Sequence, residues 1–202
     1  MYNPIRTNWF YSYVDVPNLD SITTELIKLS EDVVHLKRRT NPFYVNVSAE
    51  DGIDACPTLK CYLQECGILT KLNRFLFSSN QVTSSVIHVD SYDPAYTQCS
   101  LNFALKHCEN SYTAFYKTNL TTLIDSGKMG LHAPSNFAWT YAGAAEEIAR
   151  VEVIRPMVVN TTILHRGITD NPFRSICGLR FIPELDEENL KQMGIKNPFT
   201  QE

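Results

Sequence analysis

The pattern of hydrophobic and polar positions divides the chain into a helical beginning and a strand-rich remainder. The aromatic, alternating run WFYSYVDV (residues 9–16) predicts a strand that Pro17 ends. Aliphatic residues then recur at helical spacing behind Asp20, a residue type suited to a helix N-cap, and predict an amphipathic helix. PTLKCYLQECG (residues 57–67) predicts a second helix, because proline suits the first turn and glycine the C-terminal end.

After residue 75 the pattern changes to short apolar or alternating runs separated by turn residues. The runs are SSVIHVD, CSLNFALK, YTAFYK, NFAWTYA, IARVEVI, MVVNTTILH and RSICGLRF. The turn segments between them include DPAY, HCENS, DSGK and TDNP. Many short strands at near-regular spacing predict an antiparallel sandwich or barrel. LDEENLKQMG near the C-terminus predicts a surface helix.

The length of 202 residues fits a single domain. We expect residues 1–75 to form a helical N-terminal support, residues 76–183 the β core, and residues 184–202 a C-terminal helix and tail. The fold class is therefore mainly β with N-terminal helices.

Composition narrows the functional classes. Hydrophobic residues make up 44% of the chain, so it can bury a substantial core. The net charge of −4 does not indicate nucleic acid or an anionic membrane as a partner. No apolar run is long enough to span a bilayer, and the N-terminus does not have the pattern of a signal peptide. Six cysteines without an export signal indicate reduced thiols and a cytoplasmic protein, with structural roles for the cysteines.

The segment IHVD contains the first candidate for chemistry. His88 and Asp90 are two residues apart on a predicted strand, so their side chains project from the same face. One imidazole and one carboxylate can bind a divalent metal from one side, and a third ligand must come from another segment.

Four other histidines could supply the third ligand. His35 follows the first helix beside basic residues, His107 lies in a turn, and His132 lies in a loop. His165 ends the predicted strand MVVNTTILH. We favour His165, since a ligand on a rigid strand is preorganised.

Two arginines follow on the next predicted strand. Arg174 and Arg180 share a face with Ile176 and Gly178, and if that face lines the barrel interior both arginines require an anion. The carboxylate of a ligand is a suitable partner, because guanidinium binds it through two parallel hydrogen bonds. Two histidines and one carboxylate with open positions form the facial triad of non-haem Fe(II) oxygenases.

Together these features resemble the Fe(II)/2-oxoglutarate-dependent oxygenase superfamily, and the spacing of His165 and Arg174 is similar to that of its prolyl-hydroxylase-like branches. The matching stretch, from about Val86 to Phe181, covers close to half of the chain. The resemblance implies a double-stranded β-helix (jelly-roll) core and an oxygenase that uses Fe(II), 2-oxoglutarate and O2.

The resemblance also implies roles for individual residues. His88, Asp90 and His165 would bind iron and act as the catalytic centre. Arg174 would bind the distal carboxylate of 2-oxoglutarate, although Ile176 stands where the family often has serine, and Arg180 remains an alternative anchor. Asn102 is expected as a polar contact to 2-oxoglutarate or to the metal surroundings. Tyr112 and Tyr116 are candidates for the tyrosine that some members add.

Other functions remain open at this stage. A cupin-like metal enzyme would need the metal but not the arginine, and a jelly-roll binding protein without catalysis would need neither. The favoured activity is hydroxylation of a C–H bond with release of succinate and CO2. The substrate class, a small molecule or a peptidyl side chain, is not defined by the sequence. Loops 91–98 and 125–136 are expected to face it.

Overall fold

The computed structural model describes residues 9–37, 43–79, 87–90, 99–117, 124–125, 139–140, 145–171, 173–182 and 185–195. The strands are β1 (Tyr11–Tyr13), β2 (Phe43–Ser48), β3 (Leu72–Ser79), β4 (His88–Val89), β5 (Cys99–Lys106), β6 (Ser111–Lys117), β7 (Ile124–Asp125), β8 (Trp139–Thr140), β9 (Glu146–Glu152), β10 (Met157–Asn160), β11 (His165–Thr169) and β12 (Ser175–Phe181). The helices are α1 (Leu19–Lys37), α2 (Ala49–Asp54), α3 (Pro57–Glu65) and α4 (Glu187–Gln192), with a 3-10 turn at Leu69–Lys71.

The strands form two six-stranded sheets in which neighbouring strands are antiparallel. The first sheet has the order β1-β10-β5-β12-β3-β2, and the second has the order β7-β8-β4-β11-β6-β9. Few neighbours in either sheet are consecutive in the chain, so the chain passes repeatedly from one sheet to the other. The prediction of a mainly β protein with N-terminal helices is confirmed.

The helices cover the outer face of the first sheet. Alternate residues of β3, β5 and β12 point outward and pack on the apolar faces of α1 and α3 in one buried core. Its fully buried members include Ile22, Leu26, Leu59, Leu63, Phe75, Phe77, Leu101, Phe103 and Leu179. The carboxylate of Glu25 on α1 also accepts hydrogen bonds from the backbone amides of Thr58 (3.0 and 3.1 Å) and Leu59 (3.3 Å), and thereby caps the N-terminus of α3.

The inner face of the first sheet is more polar, because the intervening residues of the same strands point toward the second sheet. In one row of this face Arg180 lies between Arg74 and Ser100. In the next row Gly178 lies between Leu76 and Asn102. These positions are partly polar and face the space between the sheets, which is where a ligand site can form.

The N-terminal region contributes two strands as well as the expected helices, and the strand predicted at residues 9–16 is the shorter β1. β1 and β2 are strands of the first sheet, the whole of β2 pairs with residues 74–79 of β3, and the short helix α2 follows β2 directly. Six residues of FYVNVS alternate too briefly to stand out from the surrounding loops, so the sequence did not predict β2. The division of the domain into three parts stays a prediction.

The predicted strand MVVNTTILH is wrong as a single element. β10 ends at Asn160 in the first sheet, and β11 begins at His165 in the second, so the chain crosses between sheets in four residues. The buried Asn160 side chain holds this crossing: its amide donates to the carbonyl of Trp9 (3.0 Å), and its oxygen accepts from the amide (3.0 Å) and hydroxyl (2.7 Å) of Thr162. The crossing is itself buried at Thr161, Thr162 and Leu164, so its sequence resembles that of a buried strand.

Two further predicted strands are short within the described residues. Among the described residues of these two segments, His88–Val89 of SSVIHVD and Trp139–Thr140 of NFAWTYA are strands. Loops 91–98 and 126–136 lie outside the described residues. No disulfide joins the six cysteines, five of which are buried. None of the helices described here combines the length and the apolar character that a membrane crossing requires.

Candidate metal centre

Three predicted ligands lie together on the inner face of the second sheet. The register of β4 and β11 places His88 directly opposite His165, and Asp90 follows His88 by two residues. Val89 between them is fully buried in a cluster on the other face of the sheet. Each of the three residues offers one ligand atom, and these atoms all lie within 4.8 Å of one another. The structure therefore brings together the histidines and the aspartate that the sequence singled out.

The crossing between the sheets orients the ligands. The backbone amide of Asp90 donates to the carbonyl of Thr161 (3.0 Å), which fixes the end of β4 against the crossing. His165 Nδ1 lies 2.7 Å from the carbonyl oxygen of Ile163. A carbonyl only accepts hydrogen bonds, so Nδ1 carries the proton and Nε2 keeps its lone pair. Such a contact fixes the tautomer and the ring direction of a metal-ligating histidine.

The aspartate carboxylate lies between the histidines and a guanidinium group. Its Oδ1 is 3.4 Å from His88 Nε2 and 4.0 Å from His165 Nε2, while its Oδ2 is 2.5 Å from Nη1 of Arg180. The His88 and His165 ring centroids are 4.5 Å apart. One carboxylate oxygen thus faces the shared space between the histidines, and the other is bound by Arg180.

The surroundings set the charge state that metal binding requires. Burial by itself raises the pKa of the Asp90 carboxyl, but Arg180 and the two histidines together outweigh it, so this pKa lies well below its usual range. Burial and the neighbouring His88 lower the pKa of His165 to about 4. Near neutral pH the site therefore presents a carboxylate and a neutral imidazole, the forms that bind metals.

This donor set fits a divalent transition metal. Two imidazole nitrogens and one carboxylate oxygen on one side form the ligand set of non-haem Fe(II) sites, and the second carboxylate oxygen is already bound by a cation. His88, Asp90 and His165 are the residues that would hold the metal.

Arg174 lies on the other side of the histidine pair. It is almost completely buried, and its Nη1 comes within 2.9 Å of the position that a Cβ on Gly167 would occupy. In the antiparallel register of β4 and β11, Gly167 and Asp90 fall on opposite sides of the histidines. Their separation along the strands is about 13 Å. Arg174 and Arg180 therefore flank the ligand group from opposite ends.

Asn102 and Ser100 face the space between the sheets from β5. The Ser100 hydroxyl donates to Asn102 Oδ1 (2.6 Å), and both oxygens lie 2.9 Å from the position of a Cβ on Gly178. Only a residue without a side chain leaves room for both at this place on β12. The predicted inward direction of Asn102 agrees with this arrangement.

Other candidates lie elsewhere. Tyr112 and Tyr116 are on the outer face of β6, where Tyr112 contacts Arg150 and Tyr116 donates to Glu147 (3.2 Å). Residues of β6 alternate between faces, and Phe115 is the one opposite His165, so neither tyrosine reaches the site. The expectation for the tyrosines is wrong. His107 lies in the turn after β5 beside the ring of Phe173. His132 and the side chain of His35 are outside the described residues.

Sequence inspection missed Arg74. Its side chain shares the inner face with Arg180, directly across from it on β3. The run LNRFLFSS alternates around two buried phenylalanines, so the parity of Arg74 was a usable signal. The sequence alone did not show that Arg74 lies beside Arg180, because this follows from the register of β3 and β12.

No family model and no curated protein matches the sequence. Solved structures do match the fold. The non-heme alpha ketoglutarate dependent carbocyclase SnoK from nogalamycin biosynthesis aligns over 87% of this chain and 80% of its own, with a TM-score of 0.52 and 9% identity. The non-heme alpha ketoglutarate dependent epimerase SnoN from the same biosynthesis aligns over 87% and 79%, with a TM-score of 0.50 and 13% identity.

These likenesses, at low sequence identity, concern the fold. The fold is the double-stranded β-helix, as predicted, and it is shared with two enzymes described as non-heme and alpha ketoglutarate dependent. The chain combines this fold with a His-Asp-His group between its two sheets.

Proposed function

We propose that this protein is a non-haem Fe(II)- and 2-oxoglutarate-dependent oxygenase that hydroxylates a C–H bond of its substrate and releases succinate and CO2. The observation that carries the proposal is the His88, Asp90 and His165 group, with ligand atoms within 4.8 Å of one another on the inner face of a double-stranded β-helix. Fe(II) and 2-oxoglutarate, when bound, supply the oxidative decarboxylation that activates O2 for attack on the substrate.

The protein's own residues position these groups. His88, Asp90 and His165 would hold the metal from one side and leave the opposite side open to ligands. Arg180 forms an ion pair with Asp90 Oδ2 (2.5 Å) and keeps the Asp90 carboxylate ionised. Arg180 is thus a positioning residue for Asp90, and this occupation argues against its alternative role as the 2-oxoglutarate anchor.

Arg174 is the proposed anchor for the distal carboxylate of 2-oxoglutarate. Gly167, which Arg174 contacts, is two residues beyond His165, a separation of about 7 Å along the strand. A five-carbon dicarboxylate can bridge a distance of this order. Burial of Arg174 also excludes water, which strengthens the pairing of its guanidinium with a carboxylate.

Asn102 completes the proposed set of polar contacts. Its oxygen accepts from Ser100 (2.6 Å), so its amide nitrogen is the group with which it would donate to a ligand between the sheets. In this position Asn102 would orient 2-oxoglutarate or a ligand of the metal.

The first test of the proposal is iron-dependent conversion of 2-oxoglutarate to succinate by the purified full chain. His165→Ala should abolish this conversion, because removal of the ligand leaves only two protein groups for iron. His107→Asn is a matched control in the turn after β5, where φ is +52° and asparagine is tolerated. Full activity in His165→Ala would refute the ligand assignment.

A second test separates the two arginines. Arg174→Ala should weaken 2-oxoglutarate binding far more than iron binding, because its guanidinium is on the Gly167 side of the site and makes no proposed contact with the metal. Unchanged 2-oxoglutarate affinity in this variant would transfer the anchor role to Arg180.

The reaction outcome and the substrate belong to the proposal as well. The matching structures include an enzyme described as a carbocyclase and one described as an epimerase, so the fold is compatible with more than one outcome. Hydroxylation predicts that the product gains one oxygen atom from labelled O2, which mass spectrometry detects. The proposed substrate is a small molecule or a peptidyl side chain, without nucleic acid, and the proposed location is the cytoplasm.

A further inference from the structure

Arg74 adds a second guanidinium group on the Asp90 side of the histidine pair. β3 and β12 place Arg74 directly opposite Arg180, so both side chains leave the first sheet on its inner face. Arg180 binds Asp90 Oδ2, while no carboxylate among the described residues forms an ion pair with Arg74. Arg74 is half-buried, and its buried Nε has no hydrogen-bond partner in the described part of the chain.

The charges at this end of the site do not balance. Two guanidinium groups face one carboxylate, whose other oxygen is directed at the histidines. Fe(II) would add two positive charges and 2-oxoglutarate two negative charges, so these cancel and the excess positive charge remains. Burial and the neighbouring Arg180 lower the pKa of Arg74, and Asp90 raises it. A further anion near Arg74 would therefore be stabilised.

The position of Arg74 separates this charge from the proposed cosubstrate anchor. Arg174 lies beside Gly167, on the far side of the histidine pair from Asp90. A dicarboxylate that extends from the metal to Arg174 points away from Arg74. The anion that Arg74 would bind is thus a different molecule from the cosubstrate.

We propose that Arg74 binds an anionic group, a carboxylate or a phosphate, on the substrate and thereby selects anionic substrates. That the bound anion belongs to a substrate rests on the proposed function, whereas the anion site itself is inferred from the positions of Arg74, Arg180 and Asp90. The substrate would extend from the metal toward β3, with its C–H bond near the metal and its anion on the Arg74 guanidinium.

The test titrates sodium acetate and inorganic phosphate, at constant ionic strength, into the isotopically labelled full chain and follows the backbone amide shifts of β3. Each titration is repeated with 2-oxoglutarate and Zn(II), a diamagnetic ion that binds nitrogen and oxygen ligands and does not support turnover. We expect saturable shifts with at least one anion in both series. The anion that binds more tightly identifies the substrate group as carboxylate or phosphate.

Variants assign the binding to Arg74. Arg74→Gln should raise the dissociation constant at least about tenfold, equivalent to ~1.4 kcal/mol. Arg74→Lys, which keeps the charge without the planar fork, should give a smaller increase and guards against misfolding as the cause. Arg155→Gln is the matched control, since Arg155 stacks on Tyr13 at the surface and should leave the constant unchanged.

The outcomes distinguish this inference from the proposed function. Absence of saturable binding by both anions, equal affinity in Arg74→Gln, or displacement of the anion by 2-oxoglutarate would overturn the inference. Anion binding that depends on Arg74 in a protein that fails to bind 2-oxoglutarate would support the anion site and contradict the proposed function.

Discussion

Gly167→Ala is a mild substitution that should act on 2-oxoglutarate through Arg174. A Cβ at this position would lie 2.9 Å from Arg174 Nη1, and its next contacts are other atoms of the same guanidinium at 3.8 and 3.9 Å. Gly167 does not have a left-handed backbone conformation, so alanine adds no backbone strain. The guanidinium is the far end of a flexible side chain and can shift, which moves it away from its proposed ligand.

The magnitude follows from the bond that is lost. Hydrogen bonds to charged groups contribute about 1.5–3 kcal/mol. Loss of one of the two bonds of a bidentate pair should therefore weaken 2-oxoglutarate binding by roughly 10- to 100-fold. Stability should change by less than about 1 kcal/mol, because alanine restricts the unfolded chain while the displaced guanidinium is less well packed.

The assay is anaerobic titration of the metal-loaded protein with 2-oxoglutarate, together with a thermal unfolding curve for each variant. Gly194→Ala is the control, since Gly194 follows α4 with φ +83° and has no neighbour within 4 Å of a Cβ. That change should lower stability by about 1 kcal/mol and leave the affinity unaltered. Wild-type affinity in Gly167→Ala would refute the role of Arg174.

Three further substitutions test the positioning of the site and its support. Arg180→Met should weaken metal binding about 10- to 100-fold, because the carboxylate of the metal ligand Asp90 loses its buried partner. Weaker 2-oxoglutarate binding with unchanged metal binding would contradict this role. Asn160→Ala should lower the free energy of unfolding by about 3 kcal/mol, which corresponds to a fall of roughly 6–12 °C in the melting temperature. The control Asn171→Ala, in a surface turn, should cost less than about 1 kcal/mol, and equal shifts would refute the role of the buried amide. Glu25→Ala removes the carboxylate cap of α3 and should lower the free energy of unfolding, measured with denaturant, by about 2 kcal/mol. The control Glu31→Ala loses only an exposed ion pair and should cost less, and the reverse order would contradict the capping role.

The sequence was informative where a local period was sufficient. Alternation placed His88 and Asp90 on one face, and the structure keeps them there around the buried Val89. The 3.6-residue period predicted α1 and α3, since each helix has one apolar face against the first sheet. Asp20, expected as the N-cap of α1, instead lies in its first turn, because the helix begins at Leu19. Gly178 and Arg180 are two residues apart on one strand, so the same alternation correctly predicted that they share a face.

The rest depended on contacts between distant segments. No local signal shows that residues 161–164 form a crossing and not part of a strand, because Thr161 and Leu164 are buried as strand residues would be. The ion pair of Arg180 with Asp90 requires the two sheets to face each other. Arg74 gained significance only through its register with Arg180. The roles of the individual site residues stay predictions that the experiments above address.

The most direct measurement is spectroscopic. Fe(II) and then 2-oxoglutarate are added anaerobically to the metal-free full chain, and the visible absorption band of the iron-2-oxoglutarate chelate is monitored. The proposed function predicts that the band appears in the wild-type protein and is lost, or requires much more 2-oxoglutarate, in Arg174→Ala. Iron binding without the band would favour a cupin-like metal enzyme, and absence of iron binding would contradict the assignment of His88, Asp90 and His165 as its ligands.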